Sequence, residues 1–185
     1  MKEKFLNCIE PFLSYIDNGK LFRKPFSWLY MAFAVGCGIF PFYLLYAAID
    51  GGIFDLGAKY IFAFLILWVF ILAAAWVGVQ IWWNRKDKVL ETSQEGSDFP
   101  ATPVIAHLIQ TSGECLGAFI AIIGVGFSLV VPIFDAGMLK EILPLGGGLE
   151  GVILFPIFGF LAIISARFTA EMCRVLVSIA NNTKK

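Results

Sequence analysis

The chain has 185 residues, of which 59% are hydrophobic and only 15% charged, and its mean hydropathy is +0.81. Average soluble domains carry roughly 45–50% apolar and about 25% charged residues, so one water-soluble domain is excluded. Fourteen basic and fourteen acidic side chains cancel, which leaves no global field to attract nucleic acid.

Residues 1–20 place Phe5, Leu6, Ile9, Phe12, Leu13 and Ile16 on one helical stripe, with Lys2, Lys4, Glu10 and Asp17 largely off it. This predicts an amphipathic cytoplasmic helix, lying along the headgroups or covering the inner face of a bundle. Pro11 should bend it. No cleavable signal is expected, because a long mixed stretch precedes the first apolar block and that block exceeds the roughly 7–15 residues of a signal core.

Four apolar blocks follow. A helix needs about 20 apolar residues to cross a hydrocarbon core of roughly 30 Å. Blocks 26–49 and 60–83 contain no charged residue. The third span is expected at 113–134, and the fourth at 151–172, uncharged as far as Arg167. Backbone groups find no water partner in lipid, so each span should be helical. The alternation of a β-barrel is missing. The expected fold is all-α: an integral membrane four-helix bundle with an N-terminal amphipathic interfacial helix, one membrane domain over 1–185.

Orientation follows from the connections. Lys2, Lys4, Lys20, Arg23, Lys24, Arg85, Lys86, Lys88, Arg167, Arg174, Lys184 and Lys185 fall on one side, and only Lys59 and Lys140 on the other. Basic residues are retained in the cytoplasm, so both termini are expected there. Trp28, Trp82 and Trp83 mark the inner edge, and Tyr43, Tyr46 and Tyr60 the outer. The 84–103 stretch should extend the second helix by a turn or two and then loosen at Gly96, Pro100 and Pro103, as a solvated cytoplasmic loop or a docking handle. The run Gly146, Gly147, Gly148 lacks the GxxxxGK[ST] pattern of a phosphate loop and reads as a turn.

Within the spans, Pro41 and Pro156 each delete a helical hydrogen bond and should kink their helices, freeing the carbonyls of Cys37 and Val152. Gly113, Gly117 and Ala121 repeat every four positions, as do Ala74 and Gly78, and such faces let helices pack closely. Cys8, Cys37, Cys115 and Cys173 show no CxxC or metal-type spacing and read as unpaired packing residues.

One polar constellation stands out. His107, Gln110 and Glu114 share a face of the third helix, and Arg167, Glu171 and Arg174 share one on the fourth. In an antiparallel hairpin the two triplets mirror each other. The expected ladder pairs Glu114 with Arg167, Gln110 with Glu171 and His107 with Arg174. Its plain role is a structural clasp, since desolvated charges favour pairing. The alternative is a proton or ion relay with His107, the only histidine, at its mouth. A relay lacks a continuation, because the third helix is apolar from Cys115 to Phe134.

The last span, with Arg167, then Glu171 four residues on, then an apolar run through Ile179 to Asn181 and Asn182, resembles an uncharacterised family of small bacterial integral membrane proteins. The match covers residues 163–183. The resemblance implies an inner-membrane protein of unknown biochemical role and supplies no catalytic residue. Family members have two spans, so four would be a departure.

No nucleophile–base pair, metal cluster or CxxCH haem motif is recognisable, so neither an enzyme nor a cofactor is expected. The expected function is non-catalytic: a scaffold or accessory subunit of a membrane complex, partnered by lipid and by another protein or a second copy. The alternative is a small oligomeric channel or transporter using the polar face between helices three and four. Lipid or quinone binding among the nineteen Phe side chains is a third.

Overall fold

The structure, a computed structural model, describes residues 24–92, 101–134 and 148–183. The expected amphipathic helix over 1–20 lies outside these residues. The described residues form four long helices: α1 (Lys24–Asp50), α2 (Ala58–Thr92), α3 (Ala101–Ile133) and α4 (Gly151–Thr183). All four are long and apolar enough to cross a membrane, and no strand occurs among the described residues.

α1 ends where Gly51 and Gly52 enter the sequence. The Gly51 N–H donates to the Ala47 carbonyl at 2.9 Å and the Gly52 N–H to that of Ile49 at 3.0 Å. Gly52 has φ of 75°, a left-handed backbone that glycine adopts without a Cβ penalty. A single 3-10 turn, Ile53–Asp55, then leads into α2. So short a link makes α1 and α2 antiparallel, with Tyr30 against Trp82 at one end and Phe42 against Trp68 towards the other.

The remaining neighbours alternate in the same up-and-down way. Arg85 reaches Glu114, Gly78 adjoins Phe119, and Gly126 adjoins Phe70, so α2 and α3 are antiparallel. Gly113 adjoins Ala166 and Gly124 adjoins Phe155, so α3 and α4 are antiparallel too. α3 is the most buried of the four. α1 and α2 lie on one side of it and α4 packs along the other. The α3–α4 seam is built from small residues: Gly117 faces the Gly159 carbonyl oxygen, and Gly159 faces Ala121. Removing side chains lets two backbones approach, which is how helices gain contact where lipid supplies no hydrophobic drive.

The main apolar core joins Tyr30 and Ala34 of α1, Trp82 and Val89 of α2, and Val104 and Cys115 of α3. It corrects two expectations. Trp82 is buried at 5% exposure against Tyr30 and does not mark the interface, unlike Trp28 and Trp83, which are exposed. α2 stays helical through Thr92, the expected extension of a turn or two, whereas α3 already starts at Ala101, so that Pro103 lies inside the helix instead of in the loop. Val89 of α2 and Val104 of α3 are both fully buried in this core. Pro103 fits within the first turn of α3, where its missing N–H would have no partner anyway.

Pro41 is buried in α1, and the Trp68 indole N–H of α2 donates to its carbonyl at 2.9 Å. This is a polar tie between two otherwise apolar faces. Trp68→Phe keeps the ring and removes the donor, so thermal unfolding in detergent should show a loss of about 0.5–1.5 kcal/mol.

Candidate functional site

Glu114 sits 20 residues before Phe134, about 30 Å of helix at 1.5 Å per residue. That equals the thickness of a hydrocarbon core. By length alone, with the Phe134 end of α3 at one boundary, Glu114 falls near the other. Glu114 and the groups that meet it therefore gather towards one end of the apolar run, with His107 about two turns lower.

Glu114 is 10% exposed and receives donors from three directions. The Arg85 Nη2 of α2 donates to both carboxylate oxygens, at 2.8 Å to Oε1 and 2.7 Å to Oε2. From α4, the Arg167 Nη2 donates to Oε1 at 2.8 Å. One turn below on α3 itself, the Gln110 Nε2 donates to Oε1 at 3.2 Å. Gln110 in turn accepts from the Arg174 Nη2 at 2.9 Å. One carboxylate thus gathers α2 and α4 onto α3. Two guanidinium groups face one carboxylate, and Arg174 adds a further positive charge beside them, so the cluster is net positive. Arg85 is 23% exposed and Arg167 is 52% exposed, so the first pair is the better shielded from water.

The expected ladder is present only in part. Glu114 and Arg167 meet, but Gln110 pairs with Arg174 instead of Glu171, which is exposed. Helical side chains lean towards their own N-termini. On antiparallel helices they lean in opposite directions, so an α3 residue meets one lying further along α4 than backbone register suggests.

His107 does not pair with Arg174. It is buried at 6% exposure against α1, where its Nδ1 and the Tyr30 hydroxyl are 2.8 Å apart, and the two rings stack with centroids 5.7 Å apart. Its Nε2 is buried without a partner. Thr111, one turn on, donates its hydroxyl to the His107 carbonyl at 2.8 Å.

Two members of the site escaped the sequence reading, Arg85 and Tyr30. Its place among the basic residues of the connection hides that Arg85 directly follows Trp82, Trp83 and Asn84 at the end of the uncharged run 60–83. Tyr30 carries no charge and gave no signal.

The packing residues are distributed as follows. Gly113, Gly117 and Ala121 face α4, whereas Gly78 faces α1 and α3 beside Cys37, Cys115 and Phe119. Ala74 is fully buried. Pro41 and Pro156 both lie inside their helices, and Pro132 lies inside α3. Among the described residues no three His, Cys, Asp or Glu side chains converge as a metal centre requires.

Compared with protein-family models, curated proteins and solved structures, the chain matches none of them, so the chemistry of the site rests on its own geometry.

Proposed function

We propose that this chain is a non-catalytic multi-pass membrane protein, an accessory or assembly subunit whose fourth helix presents the contact surface for a partner. The observation that carries this reading is that the charged groups around Glu114 are spent on one another. Glu114 is saturated by Arg85, Arg167 and Gln110 at one depth. Above it, α3 offers Cys115, Gly117, Ala121 and Gly124, none of which could pass an ion. A clasp fits this geometry better than a conductor.

The contact surface is the part of α4 that runs past the clasp. Residues 172–183 continue for about 16 Å at the end of the span expected at 151–172, past the apolar layer. Met172, Val175, Leu176 and Ile179 are all exposed there. Against lipid such side chains need no cover; beyond the lipid rim a run of them does. The expected partner is an apolar helix of another membrane protein. The excess of basic residues at this end supports a cytoplasmic location for it, with the inner membrane as its setting.

Photo-crosslinking side chains at Val175 and Ile179 should capture one defined protein in intact membranes, whereas Val69, exposed on α2 within the apolar layer, should capture only lipid. The purified chain in proteoliposomes should pass no more ions than empty vesicles. Measured flux that disappears in Glu114→Gln would replace this reading with that of a small channel.

A further inference from the structure

Two thiols meet inside the bundle without being joined. Cys37 of α1 and Cys115 of α3 are both free, and both turn into the space beside Gly78 of α2. A Cβ placed on Gly78 would lie 3.1 Å from the Cys37 Sγ and 3.4 Å from the Cys115 Sγ. Because that Cβ is missing, both sulfurs occupy the space over the Gly78 backbone, in the same apolar cluster as Trp82. Cys115 is buried. Cys37 instead forms part of the wall of an apolar groove of about 260 Å³, together with Phe33, Gly36, Phe40 and Phe119.

We propose that Cys37 and Cys115 form a redox dithiol, oxidised to a disulfide by a lipid-soluble quinone that docks in this groove. Three aromatic side chains make a wall suited to a flat ring, and no charged side chain lines it, which disfavours hydrated oxidants. Cys115 lies one residue above Glu114, inside the apolar layer, where a lipid-phase oxidant is at hand.

The step balances. The two S–H bonds break and one S–S bond forms. The thiols give up two electrons and two protons, and the quinone takes up both pairs as it becomes the hydroquinone. The product staples α1 to α3 across the one position of α2 that has no side chain.

The test uses the full chain in liposomes with a ubiquinone analogue whose ring positions are all substituted, so that it cannot alkylate thiols. The expected result is one hydroquinone per chain, seen as loss of quinone absorbance, with a Cys37–Cys115 linked peptide found by mass spectrometry after alkylation. Cys37→Ser and Cys115→Ser should each abolish both signals. Gly36→Leu fills the groove at a position where an added Cβ meets nothing within 4 Å, so the fold is retained. It should slow oxidation by the quinone at least tenfold while leaving oxidation by diamide unchanged. Thiols that stay reduced in the presence of the quinone, a link between any other cysteines, or an unaltered quinone rate in Gly36→Leu would overturn the proposal.

Discussion

Gly117→Leu should separate α3 from α4 and cost about 3 kcal/mol, at the upper end of the roughly 1–3 kcal/mol usual for overpacking. The reason is the nature of the obstacle. A Cβ on Gly117 would run into the Gly159 carbonyl oxygen and lie 2.6 Å from Ile163 Cγ1. A side chain can rotate aside, but a helical carbonyl cannot, so the whole helix must move. Gly113 offers a contrast on the same seam, because its obstacle is the Ala166 methyl. Gly113→Ala should therefore destabilise, and Ala166→Gly added to it should restore most of the loss by moving the methyl across the seam. No second-site change at residue 159 can rescue Gly117→Leu, since glycine already stands there. Gly36→Leu, in open space, should leave stability unchanged. Thermal unfolding in detergent reads all four. Equal effects at Gly36 and Gly117 would mean that the seam does not hold the helices together.

The four spans were legible because lipid allows so few alternatives: long uncharged runs bounded by Lys and Arg can only be helices. The α3–α4 seam was legible for a related reason, since Gly113, Gly117 and Ala121 fall on one face by spacing alone. Glu114 with Arg167 followed from the hairpin. What spacing could not show was which third element would approach. Arg85 falls on the expected helical extension of the second span, but spacing along one helix could not show that it would turn towards Glu114 of α3. His107 lies on nearly the same arc of α3 as Glu114, two turns lower. At the depth of Glu114 that arc faces Arg85 and Arg167; at the depth of His107 it faces Tyr30. The face was predictable and its occupant was not. Trp82 was misplaced for the opposite reason: a tryptophan near a boundary usually sits at the headgroups, but α1 delivers Tyr30 onto it.

Glu114→Ala should be the most damaging single change in the polar cluster. It leaves Arg85, 23% exposed, facing Arg167 with no counter-charge, and breaking a buried pair in this way costs about 3–5 kcal/mol. Arg167→Ala should cost no more than about 1 kcal/mol, because Arg167 is 52% exposed and solvent screens its pairing. Arg85→Ala should fall between them, since Glu114 keeps Arg167 and Gln110. Double-mutant cycles separate the two bridges. Arg85 with Glu114 should show a coupling of about 1–3 kcal/mol, and Arg167 with Glu114 clearly less. An Arg167 coupling equal to or above that of Arg85 would mean that burial does not rank these pairs. The cycle also decides what the charges are for. Apolar replacement of both members of a buried pair is often neutral or stabilising, so Arg85→Leu with Glu114→Leu should recover most of the stability lost in Glu114→Ala. In that double variant α4 keeps the glycine seam and the Arg174–Gln110 bond as its ties to α3, so the crosslink at Val175 should be retained. Stability restored with that crosslink lost would identify the Glu114 cluster as a positioning device for α4.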